Sequence, residues 1–250
     1  MHKLLLRCVR MINRKKLVFS SSILLGLFFV LSILRITDTA RLASSNAVVN
    51  KFPEIKVIID AGHGGVDGGA VASDSTLEKD INLDIALKLN ELLKMSGAET
   101  IMTRESDISI HDESAKTIRA KKSSDIHNRF NILKSNPDYI FVSIHQNTYS
   151  QSQYKGAQLF YSPDNAGSID LARCIQTSIS ERLQKYNERE IKKCSTDVFL
   201  IYHAQSVAVL CECGFLSNPD ELDSLKNDEY RKEIAFCIFS GILDYYSSLK

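Results

Sequence analysis

From Ile55 onward, short apolar runs alternate with longer stretches whose apolar residues recur at helical spacing. "KVIID" predicts a strand over Lys56–Asp60, where β-branched Val57, Ile58 and Ile59 suit a sheet interior. In "KDINLDIALKLNELLKM", Ile81, Ile85, Leu89 and Leu92 share one face of a helix over Lys79–Met95, which Gly97 ends. "AETIMTR" returns as a strand. The polar stretch Glu105–Ser124 lacks a period and reads as a long surface loop. A helix over Asp125–Ser135 stops at Asn136-Pro137. "YIFVSIH", "GAQLFYS", "DVFLIY" and "VAVLCECG" read as further strands, with a helix over Ala166–Tyr186 among them. Helices over Asn218–Lys226 and Glu229–Leu249 follow. Such alternation predicts an α/β fold with a central sheet covered on both faces.

The pattern changes before Ile55. Leu17–Leu34, "LVFSSSILLGLFFVLSIL", carries no charge in eighteen residues and as a helix would span roughly 27 Å, close to a bilayer's apolar thickness. Lys3, Arg7, Arg10, Arg14, Lys15 and Lys16 precede it without an acid among them. Residues 1–35 therefore read as a basic head and membrane segment, with the cations cytoplasmic and everything after Arg35 exported. Ser45-Asn46-Ala47 fits a cleavage site but lies well past the apolar run, so a retained anchor is favoured. Residues 36–54 read as a linker and 55–250 as the folded domain.

Charge sharpens this division. Seven basic residues fall in the first 35 positions, and the rest of the chain sets 24 basic against 30 acidic groups, a balance of −6. A folded body so charged gives no support for nucleic-acid binding. Of the six cysteines, Cys8 falls on the cytoplasmic side. Cys174, Cys194, Cys211, Cys213 and Cys237, odd in number and irregularly spaced, read as reduced, buried thiols.

Four polar residues stand where chemistry could occur. His63 lies among glycines after the first strand, in "VIIDAGHGG". Glu78 precedes a helix, His145 ends "YIFVSIH", and Glu212 sits inside "VAVLCECGF". Ligand sites of open α/β sheets gather at the carboxyl ends of strands. A buried, unpaired carboxylate is costly, so something must compensate Glu212. Two imidazoles and a carboxylate make a known zinc donor set, and a further glutamate could act as general base. The chain has no H-E-x-x-H motif, and the spacings alone leave a metal hydrolase and coincidence both open.

"IIDAGHGGVDGGA", "LEKDINLDIALKLNELL", "FVSIHQNTY" and "CECGFLSNPDE" follow in order and cover nearly all of Lys56–Lys250. Together they resemble the four signature blocks of the zinc-dependent N-acetylmuramoyl-L-alanine amidases, in particular the germination-specific, CwlD-type members. The resemblance implies a single domain built on a twisted, mostly parallel mixed sheet of about six strands flanked by helices. It implies one Zn²⁺ per chain held by His63, Glu78 and His145, with Glu212 as the catalytic glutamate. The implied reaction cleaves peptidoglycan between N-acetylmuramic acid and the L-alanine of the stem peptide, outside the cytoplasmic membrane. In the spore cortex that step precedes muramic lactam formation, and an activating protein partner is compatible with it. A non-catalytic wall-binding protein and a zinc peptidase cutting within the stem peptide are the alternatives.

Other residues are weaker candidates. Asp60 could orient His63, Asn147 could bind substrate backbone, and Arg129 could contact substrate. His111 reads as solvated, His127 as a cap or surface residue, and His203 as a residue that could line the cleft. Cys211 and Cys213 flank Glu212, but alternation in a strand points both to the opposite face, so they read as core.

Overall fold

A computed structural model describes residues 55–249; the predicted membrane segment and linker lie outside the described residues. Among those described, no helix is long and apolar enough to cross a membrane. The strands are β1 (Lys56–Ala61), β2 (Glu99–Met102), β3 (Ile140–Asn147), β4 (Gln158–Tyr161), β5 (Lys192–Lys193) and β6 (Ala208–Phe215). They form one sheet in the order β2-β1-β3-β6-β4-β5. Every pairing is parallel except β4 with β6, which makes the sheet mixed and mostly parallel.

The helices are α1 (Glu78–Met95), α2 (Ile118–Ser135), α3 (Gly167–Arg182), α4 (Phe199–Tyr202), α5 (Pro219–Lys226) and α6 (Asp228–Ser248). Strand alternation sorts them into two layers. Val57 and Ile59 of β1, Val142 and Ile144 of β3, and Cys211 and Cys213 of β6 pack with apolar residues of α1, α3 and α6. Ile58, Phe141 and Leu210, one position out of phase, pack with Leu133 of α2 and Ile201 of α4. The second face also carries Asp60, Ser143, His145 and Glu212 by the same alternation.

Two expectations about elements need correction, and one short strand is not among those expected. "DVFLIY" is not a strand: Phe199–Tyr202 forms the one-turn helix α4. The reason is topological. β6 is already paired on both sides, by β3 and β4, and the segment leading into it lies across a sheet face, where Ile201 packs with Ile58, Phe141 and Leu210. α2 begins seven residues before the predicted Asp125, at Ile118, because the Thr117 side chain caps it by accepting from the Ala120 N–H. Its first two turns are almost wholly polar and carry no apolar period. β5, two exposed lysines paired with Phe160 and Tyr161, has no alternation to reveal it.

Candidate metal centre and active site

β1 delivers the chain to a turn in which His63 itself adopts a left-handed backbone conformation, φ 62°. Non-glycine residues hold that conformation only when their surroundings fix it, and such positions cluster at functional sites. Here the His63 carbonyl accepts from Arg129 Nη2 at 2.6 Å, and its Nδ1 lies 2.9 Å from Asp67 Oδ2. Two glycines near the turn are needed for close contact, and Gly69 also for its left-handed backbone, φ 69°. A Cβ on Gly62 would lie 2.3 Å from the His145 ring, and one on Gly69 would lie 2.5 Å from Glu78 Oε2.

Glu78 is the first residue of α1 and is 3% exposed. Its Oε2 accepts from the Ala70 N–H at 2.8 Å and lies 3.2 Å from His63 Nε2. Its Oε1 lies 2.9 Å from His145 Nδ1 and accepts from the Gln146 N–H at 3.0 Å. That N–H is available because the β3–β6 register shifts between His145 and Asn147, a bulge that takes Gln146 out of the ladder. Burial alone would raise the Glu78 pKa, but hydrogen bonds with His145 and His63 hold it far below the usual carboxylate range. Burial likewise opposes the charging of His63, yet hydrogen bonds with Asp67 and Glu78 carry its pKa up to about 9.

The ligating atoms of His63, Glu78 and His145 all lie within 4.8 Å of one another, and the two imidazole rings meet edge to face at 4.9 Å. Glu212 of β6 is the register partner of His145. Its Oε2 is buried without a hydrogen-bond partner. Burial pushes its carboxyl up to about 7 against the pull of His145, with the Glu78 carboxylate adding to the rise. A cavity of about 290 Å³ opens beside His63, His145 and Glu212, walled in part by Ile126, Val198 and Phe199. Two imidazoles and an ionised carboxylate fit a zinc ion, and a charge at that point would relieve the isolated glutamate oxygen.

Residues 57–244 match the N-acetylmuramoyl-L-alanine amidase family. The chain belongs to that family. Among its relatives, the germination-specific N-acetylmuramoyl-L-alanine amidase of Bacillus subtilis is 34% identical over 191 residues, covering 76% of this chain and 79% of the relative. LytC of the same organism is 29% identical over 204 residues, 81% of this chain but 38% of that larger amidase. In structure, the chain is similar to the CwlD amidase of Clostridioides difficile, solved in complex with the GerS lipoprotein. The TM-score is 0.75 and the identity 44%, over 78% of this chain and 99% of the other. AmiC2 of Nostoc punctiforme aligns with a TM-score of 0.67 at 25% identity, over 78% and 98% of the two chains.

In this amidase the remaining candidates divide. The carboxylate beside His63 Nδ1 is that of Asp67, not Asp60; Asp67 also pairs with Lys122 at 2.6 Å. Asp60 instead lies under the turn, 1% exposed, accepting from Arg129 Nη1 at 2.6 Å, Ser143 Oγ at 2.6 Å and Thr103 Oγ1 at 2.8 Å. Arg129 is 2% exposed, and its guanidinium is taken up by Asp60, Asp125 and the carbonyls of Ala61 and His63. It buttresses the turn, with Nε, Nη1 and Nη2 each donating to a protein acceptor, and it also lines the cavity beside His63. Arg104, which sequence reasoning missed, does similar work: Nε donates to Ala61 O, and Nη2 to Gly62 O and Lys79 O.

Asn147 lies at the end of β3, half-buried, along a separate groove. His203 does not line the cavity beside His63 and Glu212; it is exposed beside Phe199 and Tyr202, on a different pocket that includes Phe130. His111 sits near Ser109 and His127 near the Ser123 carbonyl, both away from the donor set. Cys211 and Cys213 are 0% exposed and uncrosslinked, on the face opposite Glu212.

Proposed function

We propose that this chain is a zinc-dependent hydrolase that cleaves the amide between the lactyl group of N-acetylmuramic acid and the L-alanine of the peptidoglycan stem peptide. The observation that carries the reading is the convergence of His63, Glu78 and His145 beside a Glu212 oxygen that has no partner. Membership of the amidase family supports the bond attacked.

His63, Glu78 and His145 would hold one zinc ion. Bound there, zinc supplies Lewis acidity, polarising a carbonyl oxygen and acidifying a water. Glu212 takes a proton from the attacking water and passes it to the departing alanine nitrogen. As the new C–O bond forms, the C–N bond breaks, leaving a lactyl carboxylate and a free L-alanine amine. Pairing of β6 on both edges fixes the Glu212 backbone, so side-chain rotation alone connects its proton-accepting and proton-donating positions. Asp67 holds the His63 ring in orientation, as carboxylates commonly do for metal-bound imidazoles. Asn147 is read as a substrate contact.

Similarity to a germination-specific relative supports a role in spore cortex maturation, upstream of muramic lactam formation. In this reading residues 1–35 anchor the chain through 17–34, residues 36–54 are the linker, and 55–250 act on the wall outside the cytoplasmic membrane. The family match beginning at residue 57 supports that boundary. The complex of the C. difficile amidase with a lipoprotein supports a protein partner here, which we read as an activating one.

The deciding experiment digests purified peptidoglycan with the zinc-loaded chain and analyses the products by mass spectrometry. The expected products are new L-alanine amino termini and muramic acid freed of peptide. Cleavage within the peptide, or no new L-alanine termini, overturns the proposal.

A further inference from the structure

A second depression, of about 520 Å³, lies on the β4–β5 side of Glu212. Gln158 of β4 is the antiparallel register partner of Glu212, as His145 is its parallel one. Register partners project to one face, so His145, Glu212 and Gln158 form a polar row across three strands. Arg189 extends the row: its Nη2 donates to Gln158 Oε1.

Arg189 differs from the buried arginines beneath the His63 turn. Arg104 and Arg129 each spend Nε and both terminal nitrogens on protein acceptors. Among the described residues, the Arg189 guanidinium donates to Gln158 alone, and its Nε is buried without a partner. Yet the side chain is held firmly. Its Cζ lies over the Phe215 ring, 5.0 Å from the centroid, and its backbone N–H donates to Asn187 Oδ1 at 2.9 Å. An orientated guanidinium with unspent donors is suited to a carboxylate. Lys192 adds a second cation to the lining, against one carboxylate, the exposed Glu190. Tyr149 and Tyr154, packed edge to face at 5.0 Å and 52% and 43% exposed, wall the groove.

Resting on the amidase reading, we infer that this groove takes the peptide side of the substrate and that Arg189 binds a carboxylate on the residue following the alanine. Glycan built of N-acetylated sugars is neutral, so the anions of such a substrate lie on its peptide. Neighbouring strands are about 4.8 Å apart. Arg189, one strand beyond Glu212 and then a side chain further, is therefore on the order of 7–10 Å from the scissile bond. An extended peptide covers that distance in about two to three residues.

The test uses two N-acetylmuramoyl peptides that differ only in whether the second residue carries a free carboxylate or its carboxamide. With the zinc-loaded full chain, kcat/KM for the acid should exceed that for the amide at least about tenfold, mainly through KM. Arg189→Gln should bring the ratio near one, and Arg189→Lys should keep part of it. Equal handling of acid and amide by the unmodified chain overturns the inference whether or not any variant folds, as does a preference that survives Arg189→Gln. If neither peptide is cleaved, the amidase reading fails, and calorimetry of the two corresponding free peptides reads the groove by itself. Tighter binding of the acid that is lost in Arg189→Gln supports the carboxylate site, and equal binding refutes it.

Discussion

His145 and Glu212 occupy paired positions of β3 and β6, side by side on one face of the sheet. The hydrogen-bond ladder, rather than a flexible loop, sets their separation. It also leaves Glu212 without a cation of its own, which gives the first prediction two readouts. Glu212→Gln should lower kcat by about 10²–10⁴-fold while zinc content stays at one per chain. Because the folded pKa is raised to about 7, the metal-free protein binds the proton more tightly than the unfolded chain does. The carboxyl therefore lowers stability as pH rises from about 4.5 to about 7. Urea denaturation of metal-free Glu212→Gln should show a gain of up to about 3 kcal/mol at pH 8 and little change at pH 4.

If His63, Glu78 and His145 hold zinc as proposed, the ion should stabilise the fold, because these groups come from a turn, a helix start and a strand end that only folding brings together. At a hundredfold excess over Kd, mass action gives about 2.7 kcal/mol. Thermal melts with zinc and with a chelator measure it. Glu78→Gln should abolish the difference, and a variant that keeps the full zinc shift argues against Glu78 as a donor.

Asp67→Asn keeps a hydrogen-bond acceptor beside His63 but removes the charge, and it also releases Lys122. Zinc affinity, measured by competition with a chromogenic chelator, should weaken about 10–100-fold. The same substitution at Asp60 should leave the intrinsic metal affinity of the folded protein much closer to wild type.

Asp60 should instead show itself in stability. Burial would raise its pKa, but the Arg129 charge and the Ser143 and Thr103 hydroxyls hold it below the ordinary carboxylate value. Its contribution is complete above about pH 4 and fades as acid protonates it, so native protein should lose stability below that point. Asp60→Asn leaves Arg129 buried and under-compensated. A loss of about 3–5 kcal/mol at pH 7 is expected from chemical denaturation, with a flatter acid limb than wild type.

Local sequence carried the parts of this fold that local physics decides. Val57–Ile59 and Phe141–Ile144 announce buried strands because β-branched and apolar runs suit a sheet covered on both faces. Phe199–Tyr202 has a similar apolar composition and is a helix packed on a sheet face, and no window of sequence reveals whether such a run joins a ladder or covers one. The four polar residues around the site were visible one by one. Their spacing did not unite them; the ordered signature blocks did. Asp67 had a readable signal, four residues after His63 inside the same glycine-rich turn. Arg104 had none, and Arg129, named only as a substrate contact, gave no sign of its place beneath the turn, because they reach it from 42 and 66 residues away along the chain.

The two thiols behind the Glu212 strand have a bearing on how the molecule can be watched. Cys211 and Cys213 have no route to solvent while the sheet and its helical cover remain closed. A maleimide dye offered to the native protein must wait for that cover to part, so mass-resolved labelling at these positions becomes a clock for large-scale opening. Half-exposed Cys174, on α3, would serve as the fast internal standard.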